Sequence, residues 1–336
     1  MFKNLFILFT LAFSTTFNYY LSWWQWVLWF AYSMIFYLII LFPIFIFWSY
    51  IKKKETISFA EFIPLFFYRI SILFVVIVSF FSFIIYYENE VEPANMPEFT
   101  ISNWKKTVIF QWMAHIWSDK FYSQIKWNIL FAKKKWYVLY FEWVRPWTKE
   151  NSDKFDKLIW IEFNKKTYVD LSKMYWLRAQ NNAEFLNLEN NKDYNVDISI
   201  DDIVNLYQKK FGNTKPNISL NWWVPVDVTK IIDKTINMMT PNELSLFIMI
   251  NRAVMNLVIK SDNLRDTIME ASWQKNIFDI ILTERNKVIV DKILSSQDDK
   301  IYVLYWLMHF RWVWSMLQDA DPTWHLDSIR YFKPID

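Results

Sequence analysis

The sequence predicts an α/β protein in which a mixed β-sheet is flanked by helices and preceded by transmembrane helices at the N-terminus. Two patterns predict this class. The first 87 residues are dominated by long apolar runs, and a strand, helix, strand order follows from residue 107 to residue 142. We therefore expect three regions: a membrane region at 1–87, a linker at 88–104 and an α/β domain at 105–336.

The membrane region contains two or three transmembrane helices. Trp26 to Phe47 and Ile70 to Tyr87 carry no charged residue and are long enough to cross a hydrocarbon core of roughly 30 Å. Leu5 to Tyr20 is a third candidate, but with Lys3 before it this run also fits a signal peptide. Both interpretations of the first run give the same orientation for the rest of the chain.

Charge predicts that orientation. Lys52 to Lys54 and Arg69 cluster between the second and third runs, whereas three glutamates lie at 88–92 after the third run. Positively charged loops are enriched on the cytoplasmic side of membranes. We expect a multi-pass protein of the cell membrane whose C-terminal domain lies outside the cytoplasm.

The secondary structure of the remaining chain follows from periodicity and capping signals. The linker at 88–104 contains Pro93, Pro97 and several acidic residues. The last predicted strand alternates apolar and polar residues and is expected at a sheet edge. The predicted strands are Thr107 to Gln111, Tyr137 to Glu142, Lys300 to Tyr305 and Leu326 to Phe332. The predicted helices are Asp119 to Lys133, Asp201 to Phe211, Asn242 to Lys260, Asp262 to Trp273 and Asn276 to Ser295.

Composition excludes several classes of function. A net charge of +3 argues against nucleic-acid binding, which depends on clustered Lys and Arg. The chain has no cysteine, so disulfides, thiolate metal sites and cysteine nucleophiles are excluded.

Tryptophan and glycine usage is abnormal. The chain has 21 Trp and one Gly, whereas glycine is about 7% of residues in ordinary proteins. Many of the tryptophans occupy turn positions that favour glycine: Trp136, Trp147, Trp222, Trp223 and Trp324. We hypothesise that most of them are glycine, encoded by UGA codons that some bacteria read as glycine. Finding UGG at these positions in the coding DNA would refute the hypothesis.

One short pattern occurs twice, at Val108 to Trp117 and at Val303 to Trp312. Each copy is a β-branched and aromatic run followed by Trp-x-x-His, which places His115 and His309 at equivalent strand ends. We expect the two strands to be parallel near neighbours, so that both motifs emerge at one edge of the sheet.

Read with glycine at Trp112 and Trp306, the copies become G-M-A-H and G-L-M-H, and the chain resembles the TraB/PrgY/GumN family. That family is related to the Tiki proteases and more distantly to the erythromycin-esterase-like and ChaN-like proteins. Genuine indoles at both positions would crowd the histidines. Three more segments fit, and the resemblance covers roughly residues 105 to 335: the strand ending in Glu142, Trp176-Leu-Arg-Ala-Gln180 and Glu284-Arg285-Asn286.

The resemblance implies a membrane-anchored, metal-dependent hydrolase, a peptidase of the Tiki type that acts outside the cytoplasm on peptides or proteins. It implies a divalent metal ion (Mn, Co or Zn) held by His115, His309 and Glu142, with Glu142 as a ligand or general base. Arg285 would orient Glu142 or hold a substrate carbonyl. The implied partners are the lipid bilayer and a peptide or protein substrate.

Alternatives remain open, including whether the chain is an enzyme. It could instead be a non-catalytic membrane protein that sequesters a peptide, as is inferred for pheromone-shutdown members of the family. The histidines could simply bond turn backbone, and Arg285 could belong to a solvated salt-bridge face. Ser118 is expected to cap a helix, and His325 is expected to be a surface histidine.

Overall fold

The structure is a computed structural model that divides into two compact units, Met1–Glu92 with Thr235–Ala253, and Pro93–Lys234 with Val254–Asp336. The Lys52 to Lys54 cluster and the turn at Trp222 and Trp223 lie outside the described residues. The structure describes residues 2–22, 24–51, 58–142, 145, 147–162, 166–181, 184–185, 188, 190, 192–212, 226–271 and 275–335.

The first unit consists mainly of three long apolar helices. They are α1 (Phe2–Ser22), α2 (Trp24–Ile51) and α3 (Phe59–Tyr86), and a π-helical turn follows at Tyr87–Val91. Helices α1 and α2 contain the first two predicted runs and extend beyond them, and α3 begins before the third run and ends at Tyr86, one residue short of its end. A capping box between Ser58 and Glu61 begins α3. Four described helices are long and apolar enough to cross a membrane: these three and Pro241–Lys260.

The second unit is α/β, as predicted. Its strands are β1 (Met96–Ser102), β2 (Thr107–Met113), β3 (Ile116–Trp117), β4 (Val138–Phe141), β5 (Arg178–Ala179), β6 (Tyr194–Asn195), β7 (Lys300–Trp306) and β8 (His325–Phe332). Six of them form a mixed sheet in the order β6-β4-β7-β2-β1-β8, and β3 pairs with β5 in a separate ladder.

Helices beyond residue 92 connect these strands. The five predicted helices are present with bounds that agree to within a few residues, and four further described helices were not predicted: Lys149–Ile159, Thr167–Lys173, Val228–Met238 and Phe310–Ala320. Ser118 caps the first of them, because its side chain accepts from the Phe121 N–H. These helices are α4 (Asp119–Lys134), α5 (Lys149–Ile159), α6 (Thr167–Lys173), α7 (Ile200–Phe211), α8 (Val228–Met238), α9 (Pro241–Lys260), α10 (Asp262–Ala271), α11 (Lys275–Ser295) and α12 (Phe310–Ala320).

The sheet is buried on both faces, which explains the near-continuous apolar character of its central strands. One face carries Val303 and Tyr305 and packs against α11 and α12. The opposite face carries Tyr302 and Leu304 and packs against α4. The central strands are therefore enclosed by helices, and only the strand ends are available to a ligand.

The predicted parallel pairing is confirmed. β2 and β7 are adjacent and parallel, with Gln111 opposite Leu304. β4 lies parallel on the other side of β7, with Phe141 opposite Leu304. Both Trp-x-x-His motifs therefore emerge at the same edge of the sheet. The predicted edge position of the last strand is also confirmed, because β8 ends the sheet order.

The predicted linker at 88–104 is wrong. Residues 96–102 form β1, which lies between β2 and β8, so the α/β unit begins at Pro93 and not at residue 105. Prolines and acids at 88–104 indicated exposed chain, but Glu98 is buried. Its carboxylate accepts from the Arg330 side chain of β8 and from the Tyr302 hydroxyl at 3.1 Å. The partners that allow this burial lie more than 200 residues away in the sequence.

Backbone angles support the glycine hypothesis at particular positions. Among the described non-glycine residues, those with positive φ are Trp136 (69°), Trp160 (59°) and Trp176 (53°). This left-handed conformation costs roughly 1–2 kcal/mol for a residue with a Cβ and nothing for glycine. Trp160 ends α5 in that conformation, at a position where helices favour glycine. Trp324 does not have positive φ, so the expectation of a glycine-like backbone is wrong there.

Trp136→Gly and Trp176→Gly should each raise the free energy of unfolding, by about 0.5–1 kcal/mol. Relief of the left-handed strain outweighs the added entropy of the unfolded chain. Both indoles are largely exposed, so little packing is lost. Urea unfolding of the detergent-solubilised full chain measures the change. Trp104→Gly is the matched control, since Trp104 is exposed without positive φ and its replacement should not stabilise. Equal effects at all three positions would contradict the interpretation.

Candidate active site

A small cavity lies where β2, β4 and β7 end. Its volume is about 20 Å³, which is enough for one water molecule. Carboxyl ends of parallel strands are the usual location of ligand sites in open α/β sheets. The described residues that line the cavity are Met113, Ala114, His115, Glu142, Gln180, Leu304, Tyr305 and Trp306.

Glu142 follows directly after β4 and is held by three contacts. Its backbone N–H donates to the Leu304 carbonyl at 3.2 Å, which continues the sheet by one residue. Its Oε1 accepts from Arg285 at 2.6 Å, and its Oε2 accepts from the Trp306 backbone N–H at 2.8 Å. The carboxylate is therefore fixed in orientation at the wall of the cavity.

Arg285 lies in the middle of α11 and pairs with a second carboxylate. Its Nε is 2.9 Å from Oδ1 of Asp197, a residue that is fully buried just after β6. Burial raises the pKa of Asp197 to about 7, against the opposing attraction of Arg285. The Oδ2 atom of Asp197 has no hydrogen-bond partner among the described residues. One guanidinium thus holds Glu142 and an aspartate that is partly protonated near neutral pH.

His115 lines the same cavity, two residues after β2. Its Nδ1 is 3.2 Å from Oε1 of Gln180, and its carbonyl accepts from the Gln180 backbone N–H at 2.7 Å. The β3–β5 ladder aligns these two segments. The ring packs on Tyr168, with centroids 4.2 Å apart. With the Gln180 oxygen as acceptor, Nδ1 carries the proton and Nε2 carries the lone pair.

Burial lowers the pKa of the His115 imidazole to about 4, with Arg285 acting in the same direction and the Gln180 bond against it. The ring is therefore neutral at neutral pH. A neutral imidazole is the form that binds a metal ion or accepts a proton.

His309 immediately precedes α12 and is fully buried. Its Nδ1 is 2.7 Å from Oδ1 of Asn286, and its ring centroid is 4.6 Å from that of Tyr305. Its Nε2 has no hydrogen-bond partner in the described part of the chain. Burial holds its pKa well below the usual range, so this ring is also neutral.

The structure brings some of the predicted site residues together and leaves others apart. His115, Glu142 and Trp306 line one cavity, but His309 does not line it. No group of three His, Asp or Glu side chains within the described ranges is arranged to hold a metal ion. The metal site with Mn, Co or Zn therefore stays a prediction.

The two predicted turn tryptophans differ in position. Trp306 lines the cavity, as the expected crowding requires. Trp112 packs instead on Phe99, with ring centroids 5.5 Å apart, and on Arg265. Of these two residues, therefore, only Trp306 lines the cavity.

The contact expected between Arg285 and Glu142 is present. Arg285 is only 9% exposed, so the alternative of a solvated salt-bridge face is wrong. His325 is a surface histidine as expected, and its Nδ1 lies 3.0 Å from the Thr323 carbonyl.

Sequence reasoning missed four residues of the site. Gln180 and Asn286 stand within recognised motifs, but nothing local indicated that each meets a histidine. Asp197 follows a strand of only two residues, which is too short for a periodic signal. Tyr168 lies in a seven-residue helix without a marked pattern.

The fold and site together define a class: an α/β protein with a buried ion-pair network at parallel strand ends and apolar helices able to span a membrane. Comparison with protein-family models, curated proteins and solved structures finds no match. The resemblance to the TraB/PrgY/GumN family therefore rests on the motifs alone.

Asp197 should make stability depend on pH. Its pKa is raised in the folded state, so its contribution is fully present below the unfolded pKa near 4 and is lost as pH rises towards 7. We expect the stability difference between wild type and Asp197→Asn to fall by a few kcal/mol across this window. Urea unfolding of both full chains in detergent between pH 4 and pH 8 measures it. The lowered pKa of His115 makes stability rise with pH. This contribution is the same in both proteins, so it cancels from the stability difference. A difference that does not change with pH would contradict the assignment.

Proposed function

We propose that the chain is a membrane-anchored hydrolase whose active site is the cavity between Glu142 and His115. One observation carries the proposal: an oriented carboxylate and a neutral imidazole face a space the size of one water molecule. Such a pair of acceptors binds both hydrogens of a water and leaves its lone pairs for an electrophilic carbonyl.

In this proposal Glu142 accepts the proton of the attacking water while the new carbon–oxygen bond forms. Arg285 acts as a positioning residue, because it holds the Oε1 atom of Glu142. The same proton passes to the leaving group when the carbonyl–leaving-group bond breaks. A peptide near the membrane surface is the substrate class that the motif resemblance favours.

The metal-dependent form of the proposal has one supporting feature and one opposing feature. Both His115 and His309 bind an amide oxygen through Nδ1, which is how metal-ligating histidines are commonly oriented. However, His309 does not line the cavity, so the three side chains do not form one coordination shell as arranged. A divalent ion, when bound, would supply an activated water.

A non-catalytic peptide-binding function is the second candidate. It is favoured by the contacts of Glu142, since both its carboxylate oxygens already accept hydrogen bonds from the protein. A carboxylate held in this way is a weakened base. Peptide binding without turnover would identify this function.

Glu142→Gln and His115→Ala should each reduce hydrolysis at least about 100-fold, because each removes one acceptor of the attacking water. Internally quenched peptides incubated with the full chain in detergent give the rate. These variants are best made in a protein that also carries Trp112→Gly and Trp306→Gly. His325→Ala is the matched control and should keep the parent rate, since His325 is an exposed residue outside the cavity.

Elemental analysis of the same proteins tests the metal-dependent form. Loss of bound Mn, Co or Zn in His115→Ala and in His309→Ala, with no loss in His325→Ala, would support it. Unchanged metal content in both variants would contradict it. Unchanged peptide hydrolysis in Glu142→Gln and His115→Ala would contradict the hydrolase proposal as a whole.

Membrane orientation is a separate part of the proposal. The charges of Lys52 to Lys54 and Arg69, against the glutamates at 88–92, support an extracytoplasmic position for the α/β unit. A pair of reporters fused after Glu92, alkaline phosphatase and a cytoplasm-dependent fluorescent protein, measures it. Phosphatase activity without fluorescence is the expected result. The reverse pattern would place the site, and any substrate, in the cytoplasm.

A further inference from the structure

Helix α9 has the length and apolarity of a membrane span, yet a single crossing there is impossible. Six strands form the sheet of the second unit. In the sequence, β1, β2, β4 and β6 precede α9, whereas β7 and β8 follow it. Strands that share backbone hydrogen bonds lie on one side of a membrane. The chain between β6 and β7 must therefore cross an even number of times. Among the described helices in that interval only α9 qualifies as a span, so it does not cross.

The first unit shows where the ends of its spans lie. The Lys3 ammonium is 5.3 Å from the centroid of the Tyr68 ring, and Phe6 packs on the same ring. The start of α1 is therefore level with Tyr68 of α3. Residues 3–22 and 68–87 each rise about 28 Å as helix, close to the thickness of a hydrocarbon core. The end of α1 and the turn after α3 thus lie at one height.

Helix α9 is bonded to both of these ends. Asn242 donates to the Tyr20 carbonyl at 2.8 Å, and the Thr240 hydroxyl donates to the Leu21 carbonyl. Both carbonyls belong to the last turn of α1 and lack an intrahelical donor. Further along α9, the Met249 carbonyl accepts from Asn89 at 2.9 Å.

The spacing of these two bonded points gives the direction of the helix. Residues 242–249 rise about 10 Å, which equals the usual distance between the axes of packed helices. A helix that meets two neighbouring spans at one height, one helix spacing apart, runs across their ends. This half of α9 therefore lies perpendicular to the spans, in the plane of the membrane.

The composition of the first half of α9 suits an apolar environment better than water. Residues 244–250 (Leu-Ser-Leu-Phe-Ile-Met-Ile) carry no charge. Met249 is 47% exposed and Ile250 is 39% exposed, and the preceding Met238 is 73% exposed. Tyr20, near the end of α1, is also exposed, at 62%. Charged residues are found only outside this run, at Glu243 before it and Arg252 after it.

We propose that residues 241–253 form a membrane-surface helix whose partner is the bilayer itself, at the boundary between headgroups and acyl chains. The first half of α9 lies there because it cannot cross and because its apolar residues disfavour water. This inference is independent of the proposed hydrolase function.

The absence of cysteine in the chain allows a direct test. Met249→Cys in the full chain is labelled with an environment-sensitive fluorophore and reconstituted in phosphatidylcholine vesicles. We expect blue-shifted emission, quenched roughly twofold more by lipids spin-labelled near the headgroup than by lipids labelled near the chain end. Ile250→Cys provides a second position on the same helix.

Two controls define the outcomes that would overturn the proposal. Ile35→Cys in the middle of α2 reports a crossing helix and should be quenched more by the deep label. Tyr331→Cys on β8 reports an exposed position on the sheet and should escape both labels. A label at position 249 that behaves like either control would refute the interfacial position.

Discussion

The Arg285 guanidinium is the charge on which the candidate site depends. It pairs with Glu142 after β4 and with Asp197 after β6, and it is itself buried in α11. Glu142 in turn accepts from the backbone of Trp306 at the end of β7. A single cation therefore joins one helix and three strand ends. Removing one partner of such a buried network typically costs about 3–5 kcal/mol, because a buried charge is left uncompensated.

The same network sets the electrostatics of the cavity. Burial and the nearby positive charge keep His115 and His309 neutral, whereas burial favours the protonated form of Asp197. The cavity therefore combines one neutral imidazole, that of His115, with one oriented carboxylate, that of Glu142. That combination suits activation of a water or ligation of a cation, and it disfavours binding of a free anion. The choice between turnover and binding depends on how firmly Arg285 and the Trp306 N–H hold Glu142.

Tryptophan occupies positions where its size has no structural purpose. Three left-handed residues are tryptophans, and two of them, Trp136 and Trp176, project into solvent at 84% and 77% exposure. A large residue in a left-handed turn contributes strain, and these two indoles are largely exposed. Trp306 lines a cavity that is as small as one water molecule. Glycine at these positions would remove the strain and enlarge the cavity, which is the common physical basis for the codon hypothesis.

Sequence by itself determined the apolar spans, the main helices and strands, and the pairing of the two Trp-x-x-His motifs, because each carries a local period or an internal repeat. It also pointed to the contact between Arg285 and Glu142. Only the tertiary structure decided that residues 96–102 join the sheet, that Asp197 completes the ion pairs, and that the first half of α9 is bonded to the end of α1 and to the turn after α3. In each case the deciding partner lies far away in the chain, as Arg330 does for Glu98 and Asn89 does for Met249. Local patterns report what a segment is able to bury, and only distant contacts decide whether and where it is buried.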